Sequence, residues 1–170
     1  MKDPLFLRFL NREVGGAELL ASFAQSSDPF TADTARQALS GSGLDLTGFH
    51  QELQDATTDA IKDGVGEEFR GFVNHYMEST LEEDVQTVEG ERGQDVHRTA
   101  RIKDPKGPWV QALLCYNLCL YIKAFGLQDL KKCKVCSKFF CNKGQYAVYC
   151  SDGCKKASKT VPAQKAGSNV

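Results

Sequence analysis

The sequence predicts an α+β protein: a mostly α-helical N-terminal domain with a β-hairpin near its end, followed by a small cysteine-rich module. Three observations carry this. Apolar residues recur at helical spacing through most of positions 1–126, that period lapses between 84 and 102, and five of the seven cysteines fall within residues 133–154. A chain of 170 residues has room for one ordinary domain and a small module. The boundaries expected are 1–128 for the helical domain, 129–160 for the module and 161–170 for a flexible tail.

Leu5, Phe6, Phe9 and Leu10 sit at helical spacing, and Leu19, Leu20 and Phe23 continue it after the Gly15-Gly16 break. "SSDPF" (26–30) and "SGSG" (40–43) punctuate the chain as turns, and "TADTARQAL" between them makes a short helix starting near Thr31 or Asp33. Over 45–63, Leu46, Phe49, Leu53, Ala56, Ala60 and Ile61 share one helix face. Gly64 and Gly66 stop it, and Phe69, Phe72, Val73, Tyr76, Met77, Thr80 and Leu81 outline the next helix.

Residues 84–102 read as a hairpin: Val85 and Val88 precede a polar "EGERGQ" turn, Val96, Thr99 and Ile102 follow it, and Gly90 or Gly93 supplies positive φ. After the loop "KDPKGP", Pro108 suits the first turn of an apolar helix that stops at Gly126. Its most apolar stretch, 112–127, contains Asn117 and Lys123 and falls short of the roughly 20 apolar residues of a membrane span. Arg8 likewise interrupts the N-terminal apolar cluster before it reaches signal-peptide length, so a cytoplasmic location and no membrane partner are expected.

Charge divides unevenly. Residues 1–130 carry 12 Lys plus Arg against 21 Asp plus Glu, whereas 131–170 carry 9 Lys and one Asp. The basic part is suited to an anionic partner.

The cysteines form two pairs, C-x2-C at Cys133 and Cys136 and C-x3-C at Cys150 and Cys154. Zn²⁺ takes four thiolates at tetrahedral corners about 2.3 Å away, which a tight knuckle and one turn of a helix can present together. "FFCNKGQYAVY" between the pairs reads as a hairpin turning at Lys143-Gly144. Knuckle, hairpin and helix are the order of a treble-clef zinc finger. Disulfides are the competing assignment, disfavoured by an odd cysteine count in a reducing compartment. A catalytic cysteine is disfavoured because His50, His75 and His97 all lie outside the stretch. Cys141 is left as a packing residue or an exposed thiol, with His97 a ligand only if a cysteine fails to bind. Cys115 and Cys119, set among leucines, are core filler.

A segment this short cannot bury enough apolar surface to fold unaided, so the metal would hold it together. "CKVCSKFFCNKGQYAVYCSDGCKKASK", with an aromatic after the first knuckle and "YCS" opening the second, resembles the C-terminal treble-clef fingers of bacterial CGNR-type zinc-finger proteins. In that family the finger follows an N-terminal α+β region, the ABATE domain, and the proteins are regarded as transcription regulators. The resemblance implies metal roles for Cys133, Cys136, Cys150 and Cys154. "KKAS" follows Cys154 where the family has "GNR", and both pairs are spaced more tightly.

Lys131, Lys132, Lys134, Lys138, Lys143, Lys155, Lys156 and Lys159 surround the cysteines and are the candidate nucleic-acid contacts, for DNA ahead of RNA. Phe139, Phe140, Tyr146 and Tyr149 either stack bases or form the core of the module. The function expected is zinc-dependent DNA binding in transcription regulation, with the N-terminal domain sensing a ligand or pairing in a homodimer. The alternative is an adaptor whose finger grips a protein partner. No catalytic residues are expected: a phosphate-binding Gly-rich loop, H-E-x-x-H and a Ser nucleophile elbow are all missing from the sequence. A carboxylate site from Glu67, Glu68, Glu82, Glu83 and Asp84 would need them to converge.

Overall fold

The computed structural model describes the backbone of residues 4–40, 44–90, 93–141 and 147–160, and the side chains of all these except 83–90, 93–99 and 160. The chain divides into two compact units, Met1–Leu127 and Gln128–Val170.

The first unit opens with α1 (Leu5–Leu10), whose Phe6, Leu7, Phe9 and Leu10 are all buried. Arg12 ends it in the left-handed region (φ 57°): its amide donates to the Phe9 carbonyl and the Glu13 amide to that of Arg8. These two bonds satisfy carbonyls that a helix end otherwise leaves open. In α2 (Gly16–Phe23), Leu19, Leu20 and Phe23 face inward as the period requires.

α3 (Pro29–Leu39) starts earlier than Thr31 or Asp33. Asp28 is its cap, the Thr31 amide donating to the Asp28 Oδ2 at 2.8 Å, and Pro29 takes the first-turn position where no N–H is needed. Asp33 instead accepts from Arg36 on the exposed face. In α4 (Thr47–Asp63), Phe49, Leu53 and Ala60 are buried, and the helix stops at Gly64 (φ 90°). His50 Nε2 lies 3.2 Å from the Leu10 carbonyl oxygen, and Gln54 Nε2 donates to it at 2.7 Å, tying α4 to the end of α1. Burial pulls the His50 pKa down, favouring the neutral ring.

α5 (Glu67–Met77) ends before Thr80 and Leu81, although both keep the helical period. Leu81 begins a strand, and the fully buried Thr80 offers its carbonyl to the Lys103 amide across the strand ends. β1 (Leu81–Gly90) and β2 (Gly93–Ile102) pair antiparallel from Leu81↔Ile102 to Gly90↔Gly93. The expected hairpin is therefore present and begins three residues earlier. Residues 91–92, and with them the expected turn geometry, lie outside the described residues.

α6 (Trp109–Phe125) packs on α1, α5 and both long strands. That central position explains why it is apolar nearly all round: Val110, Ala112, Leu114, Cys115 and Leu118 are at most 1% exposed. Gly126 (φ 84°) terminates it. Among the described residues no helix is long and apolar enough to cross a membrane.

The second unit contains β3 (Leu130–Lys132), β4 (Phe139–Cys141) and α7 (Asp152–Thr160). β3 and β4 pair antiparallel, Leu130↔Cys141 to Lys132↔Phe139. Pairing thus links β4 to the residues before the first cysteine, a pairing the sequence did not announce. Residues 147–149 carry no strand, and residues 142–146, where that turn and the middle of a treble clef would fall, are outside the described residues.

Candidate metal centre

Two backbone devices set up the first cysteine pair. β3 and β4 bring their ends together, and between them the Cys133 amide donates to the Lys138 carbonyl at 2.8 Å and the Ser137 amide to the Cys133 carbonyl at 3.0 Å. Ser137 closes the turn in the left-handed region, φ 58°. This knuckle is what makes β4 return along β3.

The second pair is placed by the start of α7. The Ser151 side-chain oxygen accepts from the Cys154 amide at 3.3 Å and its carbonyl from the Lys155 amide at 3.0 Å, so Ser151 acts as the helix cap. Cys150 and Cys154 consequently flank the opening turn. The Lys134 amide donates to the Val148 carbonyl at 3.2 Å, holding the segment before Cys150 against the knuckle.

All four thiol sulfurs, of Cys133, Cys136, Cys150 and Cys154, lie within 4.8 Å of one another. Cys136 Sγ is 3.4 Å from Cys150 Sγ, and Cys150 Sγ is 3.6 Å from Cys154 Sγ. A tetrahedron with 2.3 Å metal–sulfur bonds has edges of about 3.8 Å. These four residues could therefore hold a metal ion, and the donor set fits a soft tetrahedral one. All seven cysteines are free thiols, which removes the disulfide assignment in this structure.

Electrostatics distinguish the four cysteines. Burial pushes the Cys133 thiol up, but the amide N–H groups of Cys136, Cys150 and Val135 donate to its sulfur and bring it down to about 6. Cys150 moves the other way, to about 12, through burial and then through hydrogen bonding with Cys136, Cys154 and Cys133. One sulfur is thus prepared as a thiolate while another holds a proton that a metal would displace.

Cys141, in β4, is half-buried and outside the cluster of four. Cys115 is buried in α6, its thiol pushed up chiefly by burial, and Cys119 is half-buried and likewise raised. Among the described residues neither joins a metal-binding group, in keeping with core filler. Phe139 and Phe140 are buried, so they are unavailable for stacking. The side chains of Tyr146, His97, Glu83 and Asp84 lie outside the described residues. Glu67, Glu68 and Glu82 are exposed and join no metal-binding group among the described residues.

Of the predicted lysines, Lys132, Lys134, Lys138, Lys155, Lys156 and Lys159 are exposed and Lys131 is half-buried, whereas Lys143 lies outside the described residues. Lys132 Nζ stands 5.3 Å from the Phe139 ring centroid, a cation–π contact. On α7, Lys155, Lys156 and Lys159 lie within about 100° of arc, while Cys154, Ala157 and Ser158 are half-buried on the other side. Sequence reasoning found the four clustered cysteines and missed Ser137, the capping role of Ser151 and the three amides on Cys133. A Ser three residues before Cys154 was a legible cap signal, whereas a left-handed Ser carries none. No protein-family model matches the chain, and no curated protein matches it.

Proposed function

We propose that the second unit is a zinc-stabilised finger of the treble-clef type that binds nucleic acid, DNA ahead of RNA, in a transcription regulator. The observation that carries this reading is the exposed Lys155, Lys156 and Lys159 on the helix that also bears Cys154, so that metal ligation would fix the basic face. Four thiolates and one Zn²⁺ contribute a net charge of about −2, which the surrounding lysines outweigh. Lysines neutralise phosphates as point charges and release counterions, so affinity would depend steeply on salt. The finger's likeness to CGNR-type regulators supports the same role. The zinc-loaded protein would be titrated with duplex DNA and RNA of matched sequence at two salt concentrations. Tighter DNA binding with a steep salt slope is expected, and affinity indifferent to salt would refute phosphate contact.

A protein adaptor is the second reading, favoured by Val135, which lies in the knuckle and is 42% exposed. A stoichiometric protein partner that survives nuclease treatment and is lost in Val135→Glu would support it.

A further inference from the structure

We propose that Cys136 and Cys150 form a peroxide-sensitive dithiol within the metal centre, whose oxidation to a disulfide ejects the metal. This rests on the zinc reading and not on nucleic-acid binding. The four ligands differ in access. Cys133 is 2% exposed, with three amides on its sulfur, whereas Cys136 is exposed. Cys150 lines an open cleft of about 480 Å³ together with Tyr149, Ser151, Asp152 and Lys155. An oxidant therefore reaches Cys136 directly and its neighbour through the cleft, and the two sulfurs are already 3.4 Å apart. Disulfide formation requires them to close from there to about 2.05 Å.

The chemistry balances with one peroxide. The Cys136 thiolate attacks the O–O bond, forming a sulfenic acid and releasing hydroxide. The Cys150 thiolate then attacks that sulfur, forming the S–S bond and releasing a second hydroxide. Two sulfurs lose two electrons in total and the peroxide gains them. The site is left with two of its four thiolates, too few for a closed tetrahedral centre.

The full-length protein, its zinc content first measured, would be titrated with hydrogen peroxide while a chromogenic chelator reports released zinc. Alkylation and mass spectrometry then locate the disulfide. Zinc release in step with a Cys136–Cys150 disulfide, reversed by dithiothreitol and added zinc, is the expected result. Cys136→His keeps a fourth ligand and should slow release about tenfold, because an imidazole does not enter the thiol oxidation ladder. Cys141→Ser should release zinc at the wild-type rate. Zinc retained after the peroxide is consumed, or a disulfide in wild type that omits Cys136, would overturn the proposal. An untreated protein without zinc would instead refute the zinc reading beneath it.

Discussion

Cys136 Sγ and Cys150 Sγ, 14 residues apart in sequence, stand 3.4 Å apart across the second unit. Neither strand pairing nor the α7 cap needs that approach by itself. It follows from both acting together, the knuckle presenting one sulfur and the helix start the other.

Metal removal should therefore unfold the second unit selectively. Structural zinc contributes apparently about 10–16 kcal/mol in finger peptides, more than so small a unit gains from burial. On chelation, amide protection across 130–160 should be lost while α4 and α6 keep theirs, as hydrogen exchange would show. Uniform loss, or none, would contradict the division.

Metal affinity should weaken as pH falls. Cys150, raised to about 12, holds its proton at neutral pH, so binding must release it. Cys133, brought down to about 6, adds a second displaced proton only below that pH. Affinity should thus drop by at least about tenfold per pH unit above pH 6 and more steeply below it. Competition with a chelator of known affinity from pH 5 to 8 measures the slope.

Lys155→Glu with Lys156→Glu should reduce DNA affinity by at least about tenfold in low salt. If each lysine meets one phosphate, the double variant should also flatten the log K against log salt slope by about 0.9 for each phosphate no longer neutralised. Zinc content should be unchanged, which separates a weakened binding face from an unfolded finger. Unchanged affinity in low salt would remove these lysines from the binding face.

Asp28→Ala should destabilise the first unit by about 1 kcal/mol, the usual worth of a helix N-cap. Burial pushes the Asp28 carboxyl up, but its hydrogen bonds with Thr31 outweigh this and hold it below the ordinary range. A depressed folded-state pKa contributes stability at neutral pH that disappears as pH falls through the acid range. The gap between wild type and Asp28→Ala in urea denaturation should accordingly narrow toward low pH.

The helices were legible because each buries one stripe, and the stripe is written at intervals of three and four: Phe49, Leu53 and Ala60 show it plainly. The cluster of four cysteines was legible because C-x2-C and C-x3-C are local spacings whose geometry is short-range. What escaped was decided by backbone hydrogen bonding. Asp28 was hidden in a turn-like "SSDPF" because a cap and a turn use the same residues. Leu81 kept helical spacing yet joined β1, where it pairs with Ile102 and both are buried, a long-range pairing that local spacing does not show. The β3–β4 register depends on the left-handed Ser137, a conformation that no side-chain pattern announces.

X-ray absorption at the zinc edge of the zinc-loaded, full-length protein tests the metal centre most directly. One zinc per chain, surrounded by four sulfurs at about 2.3 Å, is the predicted result. A shell in which nitrogen or oxygen replaces two of those sulfurs, or a protein that retains no stoichiometric zinc, would contradict it.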